Sequence, residues 1–223
     1  MAREPILLSW STGKDSAWAL HLLREDPRFE VRGLLTTVNQ EFGRVAMHGV
    51  RQCLLQAQAE ALGLPLETVS LPHPCSNAIY EARMREVLLR VREQGIHGVA
   101  FGDLFLEDVR RYRERQLEAL GLQTHFPLWG MDTAALAQEM VEAGLRAILS
   151  CVDPRVFPAQ GIGRTFDPSF LVTLPEGVDP CGENGEFHTF AFAGPGFGSE
   201  IPIQPGEVVE REGFVFLDLD LPV

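Results

Sequence analysis

The strongest constraint on the fold is a regular alternation of short apolar runs and amphipathic stretches along residues 1–128. Runs rich in β-branched residues predict strands, and apolar residues at helical spacing predict the helices between them. Alternating strands and helices form a parallel sheet, because right-handed crossovers place the helices on its faces. We therefore predict an α/β fold with an open parallel sheet and helices on both faces.

Changes in hydrophobic pattern and helix-terminating glycines predict the bounds of these elements. The strands are predicted at 5–10, 29–38, 64–71 and 98–102. The helices are predicted at 14–24, 50–62, 77–92 and 106–120. Gly63 and Gly121 follow two of the helices directly, as is typical of helix termini.

The composition of the sequence changes after Trp129, where prolines and glycines become frequent. A helix is predicted at 133–143 and a strand at 146–152. Residues 187–193 and 214–221 alternate with the period of strands, and 211–213 are typical of a hairpin turn. We predict a larger α/β domain at 1–128 and a smaller, loop-rich α+β domain at 129–223 that covers it.

The charge of the chain argues against a nucleic-acid-binding function. Its 31 acidic and 19 basic residues give a net charge of −12, whereas nucleic-acid-binding proteins need a cation for each phosphate contact. The densest basic cluster is interleaved with acids and indicates a solvated helix face, or else a patch for phosphates or a protein partner. It comprises Arg110, Arg111, Arg113 and Arg115.

Two further absences narrow the class of protein. No apolar stretch reaches eighteen residues, so we predict no membrane span, and the polar turn after the first apolar run favours a cytoplasmic protein over a secreted one. The cysteines show no C-x-x-C spacing, and we predict no metal site. They are Cys53, Cys75, Cys151 and Cys181, of which Cys75 and Cys181 follow prolines in loops and either could line a site.

The most informative local motif is Ser11-Thr12-Gly13-Lys14-Asp15-Ser16, between the first strand and the first helix. The carboxyl ends of parallel strands are where open α/β sheets bind ligands. A helix N-terminus there offers unpaired N–H groups, Gly13 allows close approach, and Lys14 adds a cation. The motif predicts an anion-binding turn.

This turn is not a Walker loop, which would need glycine at Leu8 and serine or threonine at Asp15. It resembles the PP-loop, S-G-G-x-D-S, of ATP pyrophosphatases such as asparagine, GMP and NAD synthetases, although Thr12 replaces the first glycine. The resemblance implies an adenine nucleotide α-hydrolase-like, Rossmann-like sheet and cleavage of ATP to AMP and pyrophosphate. It also implies that Lys14 stabilises the pyrophosphate and that Asp15 anchors the loop or orients water on Mg²⁺. The bound nucleotide would contact Ser11, Thr12, Gly13, Lys14, Asp15 and Ser16.

Two more motifs narrow the resemblance. Gly102 and Asp103 begin a run, G-D-L-F-L-E-D, at the end of the fourth predicted strand, where Asp103 could cap the next helix or face the ATP phosphates. Residues 180–189, P-C-G-E-N-G-E-F-H-T, resemble the signature G-E-x-G-E-F-x-T. With the PP-loop, these runs are similar to the family that contains diphthine–ammonia ligase and its bacterial relatives.

That resemblance implies roles for two further groups of residues. Thr36, Val38 and His48 would lie near the adenine. The acceptor pocket would be formed by Glu183, Asn184, Glu186 and His188, with Glu186 and His188 catalytic. Diphthine–ammonia ligases typically have Glu-Gly-Gly-Glu, an aromatic residue and then Glu, whereas this chain has Asn184 and His188. The difference argues against diphthine itself, and the chain looks more like bacterial relatives associated with cobalamin salvage.

We therefore expect an AMP-forming amide ligase that uses ATP and Mg²⁺ to adenylate a carboxylate, small or protein-borne. No glutaminase signature is visible, so the nitrogen would come from ammonia or an amine, and a homodimer is compatible with the sequence. Two alternatives stay open: an ATP-binding regulatory module without turnover, and a PP-loop enzyme that modifies RNA. The acidic charge and the lack of a cysteine pair count against the RNA alternative.

Overall fold

The first of two sheets carries the predicted nucleotide-binding edge. The structure is a computed structural model that describes residues 2–46 and 48–222. The first sheet is ordered β4-β2-β1-β5-β6, all parallel, and the short β3 pairs antiparallel with β2. Its strands are β1 Glu4–Ser9, β2 Phe29–Asn39, β3 Arg44–Val45, β4 Leu66–Leu71, β5 Gly98–Ala100 and β6 Gln123–His125.

Helices cover both faces of this sheet, which confirms the predicted fold class. The helices are α1 Lys14–Glu25, α2 Gln52–Leu62, α3 Asn77–Glu93, α4 Glu107–Glu118, α5 Thr133–Glu142 and α6 Pro168–Val172. Alternation along β1 sends Ile6 and Leu8 into a core shared with α1 and α2. Leu7 points into a second core with α3 and α4. In the described residues, no helix is long and apolar enough to cross a membrane.

The second sheet is antiparallel and lies in the C-terminal part of the chain. Its order is β8-β7-β10-β9, with strands β7 Arg146–Val152, β8 Phe187–Ala193, β9 Gln204–Arg211 and β10 Phe214–Asp220. Glu212 and Gly213 have φ values of 52° and 82°, which confirms the hairpin turn between β9 and β10. The larger core contains side chains from both sheets, so the two parts pack together. The boundary at residue 128 stays a prediction.

Every predicted strand and helix is present, with ends within two residues of the prediction. The sequence analysis missed three strands and one α-helix: β3, β6, β9 and α6. Three of them are only two to five residues long. β9 contains Pro205 and Gly206, which argue against a strand but are tolerated at a sheet edge.

Candidate active site

The anion-binding turn lies where the sequence predicts, between β1 and α1. Gly13 is the N-cap residue of α1, and its extended backbone opens the helix. Ser16 Oγ donates to Gly13 O at 2.9 Å and lies 3.1 Å from Ser11 Oγ. A Cβ at Gly13 would lie 3.2 Å from Thr189 O, so glycine allows β8 to approach the turn closely. The structure thus brings Ser11, Gly13 and Ser16 together.

Thr12 holds an unusual conformation for its residue type. Its φ is 72°, in the left-handed region that β-branched residues strongly avoid, and its side chain is fully buried. Its carbonyl accepts hydrogen bonds from Ala191 N and Gln58 Nε2, both at 2.9 Å. The left-handed φ explains why the common form of the loop has glycine here, and the two hydrogen bonds show what stabilises this backbone with threonine in its place.

Gln58 is a residue that the sequence analysis missed. Its fully buried amide accepts from Trp10 Nε1 at 2.8 Å and donates to Thr12 O and Ala191 O. It therefore ties the turn to the end of β1 and to β8. The signal was available, because Gln58 lies on the apolar face of α2, beside Leu54 and Leu55 at helical spacing.

Lys14, which is predicted to supply a cation to the pyrophosphate, is buried in this structure. Its side chain is only 2% exposed, and its Nζ donates to both carboxylate oxygens of Asp15 at 2.9 Å and to Cys181 O. The ammonium also lies over the ring of Phe187, 5.3 Å from the centroid. Burial lowers the pKa of Lys14, but the neighbouring carboxylates and thiol outweigh it and raise that pKa above its usual value. Lys14 therefore joins the turn to the C-terminal loop, which comprises residues 179–186 before β8. Asp15 anchors the Lys14 side chain.

Gly102 packs against the same turn, but Asp103 does not cap α4. A Cβ at Gly102 would lie 3.1 Å from the Asp15 backbone, so the loop after β5 and the turn touch. The N-cap position of α4 is Leu106, which contradicts the capping interpretation of Asp103. Asp103 instead pairs with Arg113 Nε at 2.6 Å.

The remaining arginines of α4 mostly pair along the helix. Arg110 pairs with Glu114, and Arg111 with Glu107. These contacts favour the predicted solvated face over a phosphate patch.

Glu183 joins the C-terminal loop to the edge of the first sheet. Its carboxylate accepts from Leu104 N at 2.8 Å. Burial raises the pKa of Glu183 to about 7 against the effect of this hydrogen bond, and the negative charges of Asp15 and Asp103 add to the rise. A carboxyl group that gains and loses its proton near neutrality therefore lies beside the turn.

The four residues predicted to form one acceptor pocket make different contacts. Glu186 is buried, and its Oε1 accepts from Asp179 N at 3.0 Å and from Asn184 Nδ2 at 3.1 Å. Glu186 and Asn184 therefore order their own loop. His188 lines a cavity of 440 Å³ between the two sheets. His188 thus faces this cavity, whereas Glu183, Asn184 and Glu186 form hydrogen bonds within or beside their own loop, and the shared acceptor pocket stays a prediction.

The ring of His188 also contacts the ring of His48. Their ring centroids are 4.7 Å apart with an edge-to-face geometry. Burial lowers the pKa of His48 to about 3 and that of His188 to about 4, with the charge of Lys14 contributing to both. Both imidazoles are therefore neutral at neutral pH, and each ring has one N–H donor and one acceptor nitrogen.

Thr36 and Val38, which are predicted to lie near the adenine, are held inside the first sheet. Both are buried and paired with β4, and Val38 is also paired with β3. The Thr36 hydroxyl donates to Trp10 O at 2.9 Å. The Thr36 hydroxyl and both edges of β2 at Val38 are therefore occupied in this structure, and the roles of the two residues near the adenine stay predictions.

The described residues contain no group of three or more metal-ligating side chains. Cys75 is exposed, whereas Cys181 is buried and contributes its carbonyl to Lys14. Met47, which precedes His48 in the chain, lies outside the described residues.

Comparisons with known proteins agree with the motifs. Residues 5–124 match the diphthamide synthase N-terminal domain, and residues 132–219 match the diphthamide synthase C-terminal domain. Diphthine–ammonia ligase from Danio rerio is 34% identical over 167 residues, 68% of this chain and 65% of that protein. Diphthine–ammonia ligase from Homo sapiens is 30% identical over 175 residues, 71% of this chain and 65% of that protein. The matches thus span slightly less than two thirds of these relatives. With both domains matched in order, the chain belongs to the diphthamide synthase family.

Proposed function

We propose that the protein is an AMP-forming amide ligase. A carboxylate oxygen of the acceptor attacks the α-phosphorus of ATP, the α–β phosphoanhydride bond breaks, and pyrophosphate leaves. Ammonia or an amine then attacks the acyl carbon, loses a proton and displaces AMP. The observation that carries the proposal is the turn of Ser11–Ser16 at the N-terminus of α1, in a chain whose relatives are named diphthine–ammonia ligases.

The turn suits pyrophosphate departure because its shape is fixed in advance. Contacts to Gln58, Thr189 and Ala191 hold the backbone of Thr12 and Lys14. Preorganised N–H donors at a helix N-terminus stabilise developing negative charge without reorganisation. Lys14 contributes by holding this geometry, because its ammonium is bonded to Asp15 and to Cys181 O.

Magnesium fits the chemistry of the loops around the turn. Asp15, Asp103 and Glu183 offer carboxylate oxygens, which Mg²⁺ prefers. Asp15 and Asp103 lie close enough to Glu183 for their charges to raise its pKa. Because the described residues do not form a three-ligand cluster, the ion would bind mainly through the ATP phosphates. When bound, it would neutralise charge on those phosphates.

The fate of the nucleotide tests the proposal. The protein is incubated with MgATP, ammonium and a panel of carboxylates, and the products are separated by chromatography. We expect AMP and pyrophosphate in equal amounts, and an ¹⁸O-labelled carboxylate should transfer one label to AMP. Asp15→Asn, which weakens the anchor of the turn, is expected to slow the reaction at least tenfold. ADP and phosphate as stoichiometric products would contradict the proposal.

A further inference from the structure

The cavity lined by His188 has a floor made from one row of side chains. In the antiparallel sheet His188 pairs with Cys151, Cys151 with Phe216, and Phe216 with Val209. Residues directly opposite each other point to the same face, and all four line the cavity. With strands about 4.8 Å apart, a row across four strands is about 14 Å long.

The floor is apolar along most of this length. Beyond His188 it offers a phenyl ring and an isopropyl group, with the almost fully buried Cys151 beneath and Phe214 beside Phe216. The opposite face of β10 packs into the core through Val215 and Leu219, so the cavity face is fixed in place. A rigid apolar floor favours a flat, apolar ligand.

The opposite wall comes from the carboxyl-terminal edge of the first sheet. Phe42 is 52% exposed at this wall, and its ring lies edge to face with His73 at 5.1 Å. Arg44 of this wall pairs with Asp218 of β10 at 2.8 Å, and Arg51 pairs with both Asp218 and Asp220, so these four charges balance. Aromatic rings on two walls are suited to stacking on a ring system.

The two ends of the cavity differ in chemistry. At one end His188 precedes Thr189, whose hydroxyl accepts from Lys14 N in the turn. At the other end the edge strand β9 presents Glu207 and Arg211 on either side of Val209. A ligand along the row would therefore have one end beside the anion-binding turn and the other end among charged groups.

We propose that this cavity binds the acceptor, and that the acceptor is a small molecule whose carboxylate lies beside His188 and whose flat, apolar ring body lies across Cys151 and Phe216. This inference rests on the proposed function, because it takes the reacting group to be a carboxylate activated at the turn. A volume of 440 Å³ is within the range of small-molecule sites.

The test measures binding of 2-naphthoate, a ring-bearing carboxylate, by calorimetry in the presence of Mg²⁺ and α,β-methylene-ATP. We expect acetate, which lacks the ring, to bind at least tenfold more weakly. Val209→Trp fills the cavity from β9 and should weaken 2-naphthoate binding at least tenfold. The matched control is Val208→Trp, since Val208 lies next to Val209, is 55% exposed and does not line the cavity. The control should change the affinity less than threefold.

The outcomes separate this inference from the proposed function. Equal 2-naphthoate affinity in the wild type and Val209→Trp, or no saturable binding up to the solubility limit of 2-naphthoate, overturns the site. Binding of the nucleotide analogue should stay within threefold in both variants, which shows that the turn is intact. If 2-naphthoate binds as expected but ATP yields only ADP with every carboxylate, the cavity stands as a binding site and the ligase proposal fails. If AMP forms but Val209→Trp has no effect on the affinity for 2-naphthoate, the ligase proposal stands and the cavity is not the acceptor site.

Discussion

The turn after β1 and the loop before β8 carry the two clearest motifs, and they are stabilised in opposite ways. The turn is held from outside, since the Thr12 carbonyl accepts hydrogen bonds from Gln58 and from β8. The loop holds other elements, since its Glu183 accepts from Leu104 N and its Cys181 carbonyl accepts from Lys14. The comparison teaches that the two motifs form one interlocked unit, although they are far apart in sequence.

The largest expected effect comes from breaking the link between the two motifs at Lys14. In Lys14→Met the part-buried carboxylate of Asp15 loses its cation and Cys181 O loses a donor, so we expect the free energy of unfolding to fall by roughly 3 kcal/mol. Urea denaturation measures the loss. The double variant Lys14→Met/Asp15→Asn should recover part of it, because it removes the unpaired charge. An unchanged unfolding midpoint in Lys14→Met would show that the link does not stabilise the protein.

Gln58 tests whether the turn depends on being held from α2. Gln58→Leu leaves Trp10 Nε1 and Ala191 O without their buried partner, so we expect a loss of about 2 kcal/mol in unfolding free energy. We also expect weaker MgATP binding, because Thr12 O keeps only one of its two donors. The control is Gln56→Leu, an exposed residue of the same helix that should change neither quantity. Loss of stability with unchanged nucleotide affinity would limit Gln58 to a structural role.

The pH dependence of stability tests the contact that Glu183 makes between the loop before β8 and the first sheet. The folded pKa of Glu183, about 7, lies above the ordinary value of 4.5, so protonation favours the folded state. The contribution is fully present below pH 4.5 and is lost as the pH rises through 7. Glu183→Gln keeps an oxygen for Leu104 N and removes the charge. We expect it to be more stable than wild type at pH 8 by on the order of 1 kcal/mol, allowing for solvent screening.

Urea midpoints of both proteins at pH 5 and pH 8 measure this difference. Glu207→Gln, on the exposed edge strand β9, is the control for loss of one negative charge. A stability difference between Glu183→Gln and wild type that does not change with pH would contradict the raised pKa.

The sequence predicted local elements better than the contacts between them. Hydrophobic periodicity located β1, α1, β7 and β8 because each pattern depends only on neighbouring residues. The PP-loop resemblance located the turn, but it could not show that Lys14 contacts Cys181, 167 residues away. The roles of Glu186 and His188 diverged for the same reason, because strand pairing and loop hydrogen bonds, not spacing, decide what each side chain faces. Their catalytic roles stay predictions.

The smallest expected effect concerns Thr12, where this chain departs from the common loop. Holding a threonine at φ 72° costs on the order of 1 kcal/mol, and its buried Oγ1 has no hydrogen-bond partner among the described residues. Thr12→Gly removes both costs at the price of greater freedom in the unfolded chain, so we expect a net gain of up to about 1 kcal/mol in unfolding free energy. Thr12→Ala is the matched control, because it removes the hydroxyl but keeps the Cβ that disfavours this backbone. If Thr12→Gly gains no more than Thr12→Ala, the left-handed conformation is not a source of strain. If Thr12→Gly gains more, Gln58→Leu should then cost less nucleotide affinity in the Thr12→Gly background, because glycine needs less help to hold the turn.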